Sequence, residues 1–166
     1  VFYAYVKERG VEQVAHGVYV SLDTWTDAMY ILHLRCSQAV FSHETALFFH
    51  ALTDREPLKY AITVRTGYNP SRLQEDGFQV YTVKKELHEI GTTTMQTSFG
   101  HSVTVYDMER TICDLLRSRK NIEIQVFQDA LKQYARRKDK NLRMLMKYAS
   151  MFHVEKILRP YLEVLL

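Results

Sequence analysis

His43, Glu44 and His50, in the stretch FSHETALFFHAL (41–52), are the first residues whose types and spacing could do chemistry. They approach the zinc-protease pattern His-Glu-x-x-His, in which two histidines four apart on a helix aim their nitrogens at one ion while the glutamate serves as base. Here the histidines are seven apart, which is about 10 Å along a helix axis and too far for two imidazoles to share a zinc. His33 lies too far away in sequence to supply a third ligand by local geometry. No metal is expected, with His43 near a helix start and His50 packed on the inner face.

Other catalytic constellations fare no better. A metal-dependent nuclease needs an acidic residue followed by Glu/Asp-x-Lys on the next strand, and the strand-like segments YAITVRT (60–66) and FQVYTVKK (78–85) lack the acids. Glu86 and Glu89 follow Lys84 and Lys85 without a placed partner acid. No Ser/His/Asp set, phosphate-cradling glycine loop or Cys/His pair emerges, so neither catalysis nor a cofactor is expected. Cys36 and Cys113 lie far apart in apolar context and read as buried free thiols of a cytoplasmic protein.

Charge carries more information. The net charge of +3 divides unevenly: residues 1–99 hold 9 Lys/Arg against 11 Asp/Glu, and residues 100–166 hold 13 against 8. Arg117, Arg119 and Lys120 follow one helix, and RRKDKNLRMLMK (136–147) sets six cations against Asp139. Helix ends attract cations without any ligand, yet the second cluster is dense enough to favour an anionic partner. Only Tyr134 and Tyr148 are interleaved there, so stacking on single-stranded bases is not indicated.

The elements that must position these groups read as an α+β fold. With 46% apolar and 25% charged residues the composition is globular, and no apolar run approaches the roughly 20 residues that span a bilayer. Residues 1–21 read as a helical tail, a turn at Gly10 and a strand interrupted by Gly17, a piece too short to bury its own apolar face. The chain does not begin with Met, and a segment upstream is expected to support this piece. Helices follow at 24–34, with Asp23 or Thr24 as N-cap, and at about 42–52, with the Ser42 hydroxyl as cap and Ala46, Leu47, Phe49 and His50 facing inward. Strands are expected at 60–66, 78–83 and 101–106, with an edge segment at 91–97. Asp107 should cap a helix whose stripe is Met108, Ile112, Leu115 and Leu116, with Arg110, Arg117 and Arg119 turned away from it. Residues 122–137 are amphipathic, and 141–165 read as one long helix or two short ones, with Pro160 the expected break.

Three stretches, GVYVS (17–21), SHETALFFHALTD (42–54) and VTVYDMERTICDLLRSR (103–119), together resemble the AbiEi-type antitoxins of type IV toxin–antitoxin (abortive infection) systems. The likeness covers about residues 3–138. It implies a transcriptional autorepressor whose N-terminal winged helix-turn-helix binds inverted repeats in operator DNA. A C-terminal domain would neutralise a nucleotidyltransferase-like toxin in phage defence, without enzymatic activity.

On this reading residues 1–21 are the last helix end and wing strand of the DNA-binding domain. Residues 22–166 are the antitoxin domain, its sheet part at about 22–106 and its helical part at about 107–166. Lys7, Arg9 and His16 are then the candidates for DNA-phosphate contact, which positions a protein without specifying sequence. The expected antitoxin surface is Arg110, Arg117, Arg119, Lys120, Arg136, Arg137, Lys138, Lys140 and Arg143, chosen for the basic excess. A metal-dependent nuclease or other phage-defence enzyme on a similar scaffold is the alternative, and a regulator with a ligand-sensing domain is a third reading. Monomer and dimer both stay open.

Overall fold

The structure, a computed structural model, describes residues 27–166 in full and the backbone of two strands before them, β1 (Val11–Ala15) and β2 (Val18–Ser21), which pair antiparallel. The chain forms two compact units, residues 1–39 with 94–104, and residues 40–93 with 105–166.

In the first unit, helix α1 (Ala28–Arg35) begins one turn later than the sequence pattern suggests. Its N-cap is Asp27, not Asp23 or Thr24, which lie outside the described residues; Asp27 Oδ1 accepts from the Tyr30 amide at 3.3 Å. The same carboxylate ties the helix to the hairpin at 97–101. Thr97 Oγ1 donates to Asp27 Oδ2 at 2.6 Å, and His101 Nδ1 lies 2.7 Å from that oxygen. Tyr30 stacks on the His101 ring with centroids 4.3 Å apart. Burial raises the Asp27 pKa, but Thr97, His101 and the Tyr30 amide outweigh it, and the net shift is downward.

The remaining strands, β3 (Val40–Phe41), β4 (Ala61–Arg65), β5 (Gln79–Val83), β6 (Thr92–Gln96) and β7 (Ser102–Tyr106), form a mixed sheet in the order β5-β4-β3-β7-β6. β3 runs antiparallel to β4 and parallel to β7, and β4 runs parallel to β5. Ala61, Ile62, Thr63 and Val64 are all buried, as expected of a strand covered on both faces. The two-residue β3 is too short to leave a periodic signal. The edge position of 92–96 agrees with the sequence reading.

Around this sheet lie α2 (His43–Phe49), α3 (Ser71–Glu75), α4 (Lys85–His88) and α5 (Met108–Arg117), and the chain closes with α6 (Ile124–Ala135), α7 (Leu142–Met151) and α8 (Glu155–Leu165). The α+β class, with a helical C-terminal part, is as the sequence implies. The interior of α5 differs. Every residue from Met108 to Leu116 is buried, including Glu109, Arg110, Thr111 and Asp114, because α5 packs against α2, α6 and α7 at once.

The final break also differs from expectation. It falls at Phe152–Val154, while Pro160 sits inside α8. His153 takes φ 59°, the Val154 amide reaches back to Ala149 O at 2.9 Å, and the His153 amide reaches Ser150 O at 3.2 Å. That is a left-handed helix stop built without glycine. Helix α2 ends in the same way, with Ala51 at φ 57° and the Leu52 amide on Leu47 O. Inside α8 the proline costs one backbone hydrogen bond, and the buried Leu158 and Leu162 beside it hold the helix in place.

Candidate functional site

The sequence pairs Ser42 with His43, and the fold puts both inside. Ser42 occupies the N-cap position of α2, but its hydroxyl makes no capping bond. It accepts instead from Thr63 Oγ1 at 2.7 Å and lies 2.8 Å from His43 Nδ1. Thr45, one turn on, accepts from the Ala61 amide at 2.7 Å, so α2 is fastened to β4 twice. His43 is 2% exposed and adopts φ 52°, a conformation few non-glycine residues take. Its Nε2 lies 2.9 Å from Ser118 Oγ, and its ring stacks on Tyr81 at 3.6 Å.

Burial is the largest influence on this imidazole. Asp114 pulls its pKa upward, Arg117 and Arg110 push it down, and it settles at about 4. His43 is therefore a neutral strut at physiological pH. His50, expected to be the packed histidine, is only half-buried, and its Nε2 holds Tyr106 O at 2.8 Å.

Behind His43 lies the ion pair of α5. Arg110 Nε stands 3.1 Å from each oxygen of Asp114, and its Nη1 donates to Leu87 O at 2.6 Å and Ile90 O at 2.8 Å. Its guanidinium covers the Tyr106 ring at 3.9 Å and the Phe152 ring at 4.3 Å. Arg110 is 0% exposed, which removes it from the expected antitoxin surface. Asp114 at i,i+4 and the carbonyls of the α4 turn satisfy Nε and Nη1 of this buried guanidinium, while Nη2 is buried without a hydrogen-bond partner among the described residues. Ser42, His43 and Asp114 have the residue types of a nucleophile, base and acid. They are sealed from solvent and the carboxylate is committed to Arg110; of the three, His43 fastens α2 to the end of α5 through Ser118.

The remaining basic residues separate into groups. Arg117 leans on Asp114 at 3.4 Å, and Arg119 Nη1 donates to Leu116 O at 2.9 Å, closing the end of α5. Arg137 donates to His50 O at 2.7 Å and pairs in a fork with Asp139, while Lys140 donates to Arg137 O. Those cations build the turn between α6 and α7. Lys120, Arg136, Lys138 and Arg143 are exposed and form no ion pair among the described residues. Lys7, Arg9 and His16 lie outside the described residues.

One feature escaped the sequence reading. A cleft of about 630 Å³ opens between the Ala51–Arg55 turn and α6. Glu44, Asp54, Arg55, Glu123, Asp129, Lys132 and Arg136 line it, so it carries both signs of charge. Its sequence signal is the polar face of α6, Gln125, Asp129, Lys132, Gln133 and Arg136, spaced to fall on one side of a helix. Among the described residues no group of three or more His, Cys, Asp or Glu is arranged to hold a metal ion.

No protein-family model matches this chain, and no curated protein is significantly similar to it.

Proposed function

We propose that this chain is a non-enzymatic antitoxin and transcriptional autorepressor of a phage-defence toxin–antitoxin system. The observation that carries the reading is where the resembling stretches fall. SHETALFFHALTD folds as α2 and its stop, and VTVYDMERTICDLLRSR folds as β7 and α5. These elements are joined through His43–Ser118 and through His50 to the Tyr106 carbonyl. The resembling stretches thus meet in one interior, which supports a common fold, and the binding role is taken from the resemblance itself.

In this reading the antiparallel β1–β2 pair is the wing of a winged helix-turn-helix, and Lys7, Arg9 and His16, which lie outside the described residues, are the proposed phosphate contacts. Lys120, Arg136, Lys138 and Arg143 carry the toxin-facing charge, with Arg110 withdrawn from that surface. Action in the cytoplasm fits a chain in which no described helix is long and apolar enough to cross a membrane.

The test is co-expression with the product of an adjacent nucleotidyltransferase-like reading frame, alongside gel shifts on the operon's own promoter. The natural protein should restore growth and retard promoter DNA. The reading fails if it does neither.

A further inference from the structure

We infer that the cleft between α6 and the Ala51–Arg55 turn takes an extended segment of a partner protein, about six residues long, cationic at one end and anionic at the other. Two contacts fix how its walls run. His43 Nε2 on Ser118 Oγ holds the start of α2 beside the turn into α6. Arg137 Nη1 on the His50 carbonyl holds the end of α2 at the end of α6. Glu44 therefore stands at the end of the cleft where α6 begins with Glu123, and the two carboxylates line it from opposite walls. Lys132 and Arg136 line the other end.

The order of charge along α6 is what its dipole and its i,i+3 neighbours favour, and it asks for no ligand. Glu44 is different. It belongs to α2, is half-buried, and its carboxylate makes no ion pair among the described residues. The first turn of α2 suits an acid, but not one set across from Glu123. The other charges of the cleft are equally unspent: none of the seven charged side chains lining it makes an ion pair among the described residues. Arg65, Arg110, Arg117, Arg137 and Arg159, outside the cleft, all do.

Charges of both signs that face one space without reaching each other suit a ligand that carries both. A ligand of one sign loses at one end what it gains at the other, which sets aside nucleic acid and a polybasic tail alike. A free amino acid is too short, because Glu123 and Lys132 are nine residues apart, about 14 Å along the helix. From Glu123 to Arg136 is about 20 Å, which an extended chain covers in about six residues. Leu47, Leu52 and Val126 also line the cleft and offer apolar contact to the middle of such a segment. The inference goes beyond the antitoxin reading and is tested on the intact chain alone, so either can fail without the other.

Amide chemical-shift titration of the intact chain with capped hexapeptides tests it. Lys-Leu-Ser-Leu-Ser-Glu and its reverse, Glu-Ser-Leu-Ser-Leu-Lys, cover both chain directions. Lys-Leu-Ser-Leu-Ser-Lys and Glu-Leu-Ser-Leu-Ser-Glu are the single-sign controls. At about 5 mM, which detects a Kd of that order, one of the first two should saturably shift the amides of Thr53, Gln125, Lys132 and Gln133. Both controls should bind more weakly. Glu44→Gln with Glu123→Gln, and Lys132→Gln with Arg136→Gln, should each lower the affinity by about tenfold. No saturable shift at the cleft with either two-signed peptide overturns the proposal, and so does a control that binds as tightly or a pair of variants that bind as well as wild type. The four side chains make no bond that the fold needs, so the variants should fold; the ranking of the four peptides on the wild type decides the matter even where a variant does not.

Discussion

His43 Nε2 and Ser118 Oγ stand 2.9 Å apart across 75 residues of sequence, and this contact pins the start of α2 to the end of α5. The imidazole making it is buried, neutral and held in a left-handed backbone conformation. A residue kept so far from water gives the fold a dependence on acid.

Burial brings the His43 pKa from its ordinary 6.5 down to about 4. Between those values the unfolded chain binds a proton that the folded chain refuses, so stability falls as pH drops through this window. The loss from this residue alone is about 2–3 kcal/mol by pH 4.5. In His43→Gln, urea denaturation at pH 7 and pH 4.5 should show a difference smaller by that amount. Equal pH dependence in the two proteins would refute the assignment.

Asp114→Ala should be among the most damaging single changes. It strands the guanidinium of Arg110, which is fully buried and satisfied on one side only by backbone carbonyls. Removing one partner of a buried pair costs about 3–5 kcal/mol. Arg110→Lys should also destabilise, because an ammonium cannot hold the carboxylate, both carbonyls and two ring faces at once. Thermal melting of both variants checks this, and a melting temperature within error of wild type for Asp114→Ala would contradict it.

Gly91 cannot carry a side chain. It sits at φ +78°, and a Cβ there would lie 2.8 Å from Arg110 Cβ and 3.3 Å from the Asp107 carboxylate oxygens. Its carbonyl meanwhile accepts from the Asp107 amide at 2.7 Å, so the strand entering α5 has no freedom to retreat. Gly91→Ala should lose about 1–3 kcal/mol in chemical denaturation.

The opposite sign is expected at the two helix stops. Ala51 and His153 hold φ 57° and 59° with exposed side chains. Glycine relieves a left-handed strain of about 1–2 kcal/mol and gives part of it back as unfolded-chain entropy. Ala51→Gly and His153→Gly should therefore each raise stability by up to about 1 kcal/mol, read as a higher denaturation midpoint with an unchanged slope.

Much of the fold is legible in the sequence where one local rule dominates. Asp107 caps α5 through the Arg110 amide at 2.7 Å, and the strand-like segment YAITVRT contains β4. Legibility ends where tertiary context overrides the local rule. The stripe of α5 accounts for one face, but contact with three helices buries the others, and the arginine turned away from the stripe enters the core with its own carboxylate. Pro160 is the strongest local breaker in the last third, yet the chain breaks at His153, a residue with no glycine-like signature. At the candidate sites, counting cations located charge without separating those that close helix ends, such as Arg119 and Lys140, from those left free, such as Lys138 and Arg143. The cleft was invisible because its walls are far apart in the chain.

The closed interior of Met108–Leu116 has a consequence for the ancestry of this chain. A helix with a wet face can drift on that face one substitution at a time, while a helix with none can change only in concert with its neighbours. Asp114 cannot be exchanged without Arg110, nor Glu109 without the Asn141 amide it receives. Divergence should then run fastest along α6 and the turn before it and slowest through this stretch. That makes ERTICDLL a sound text with which to look for distant kin.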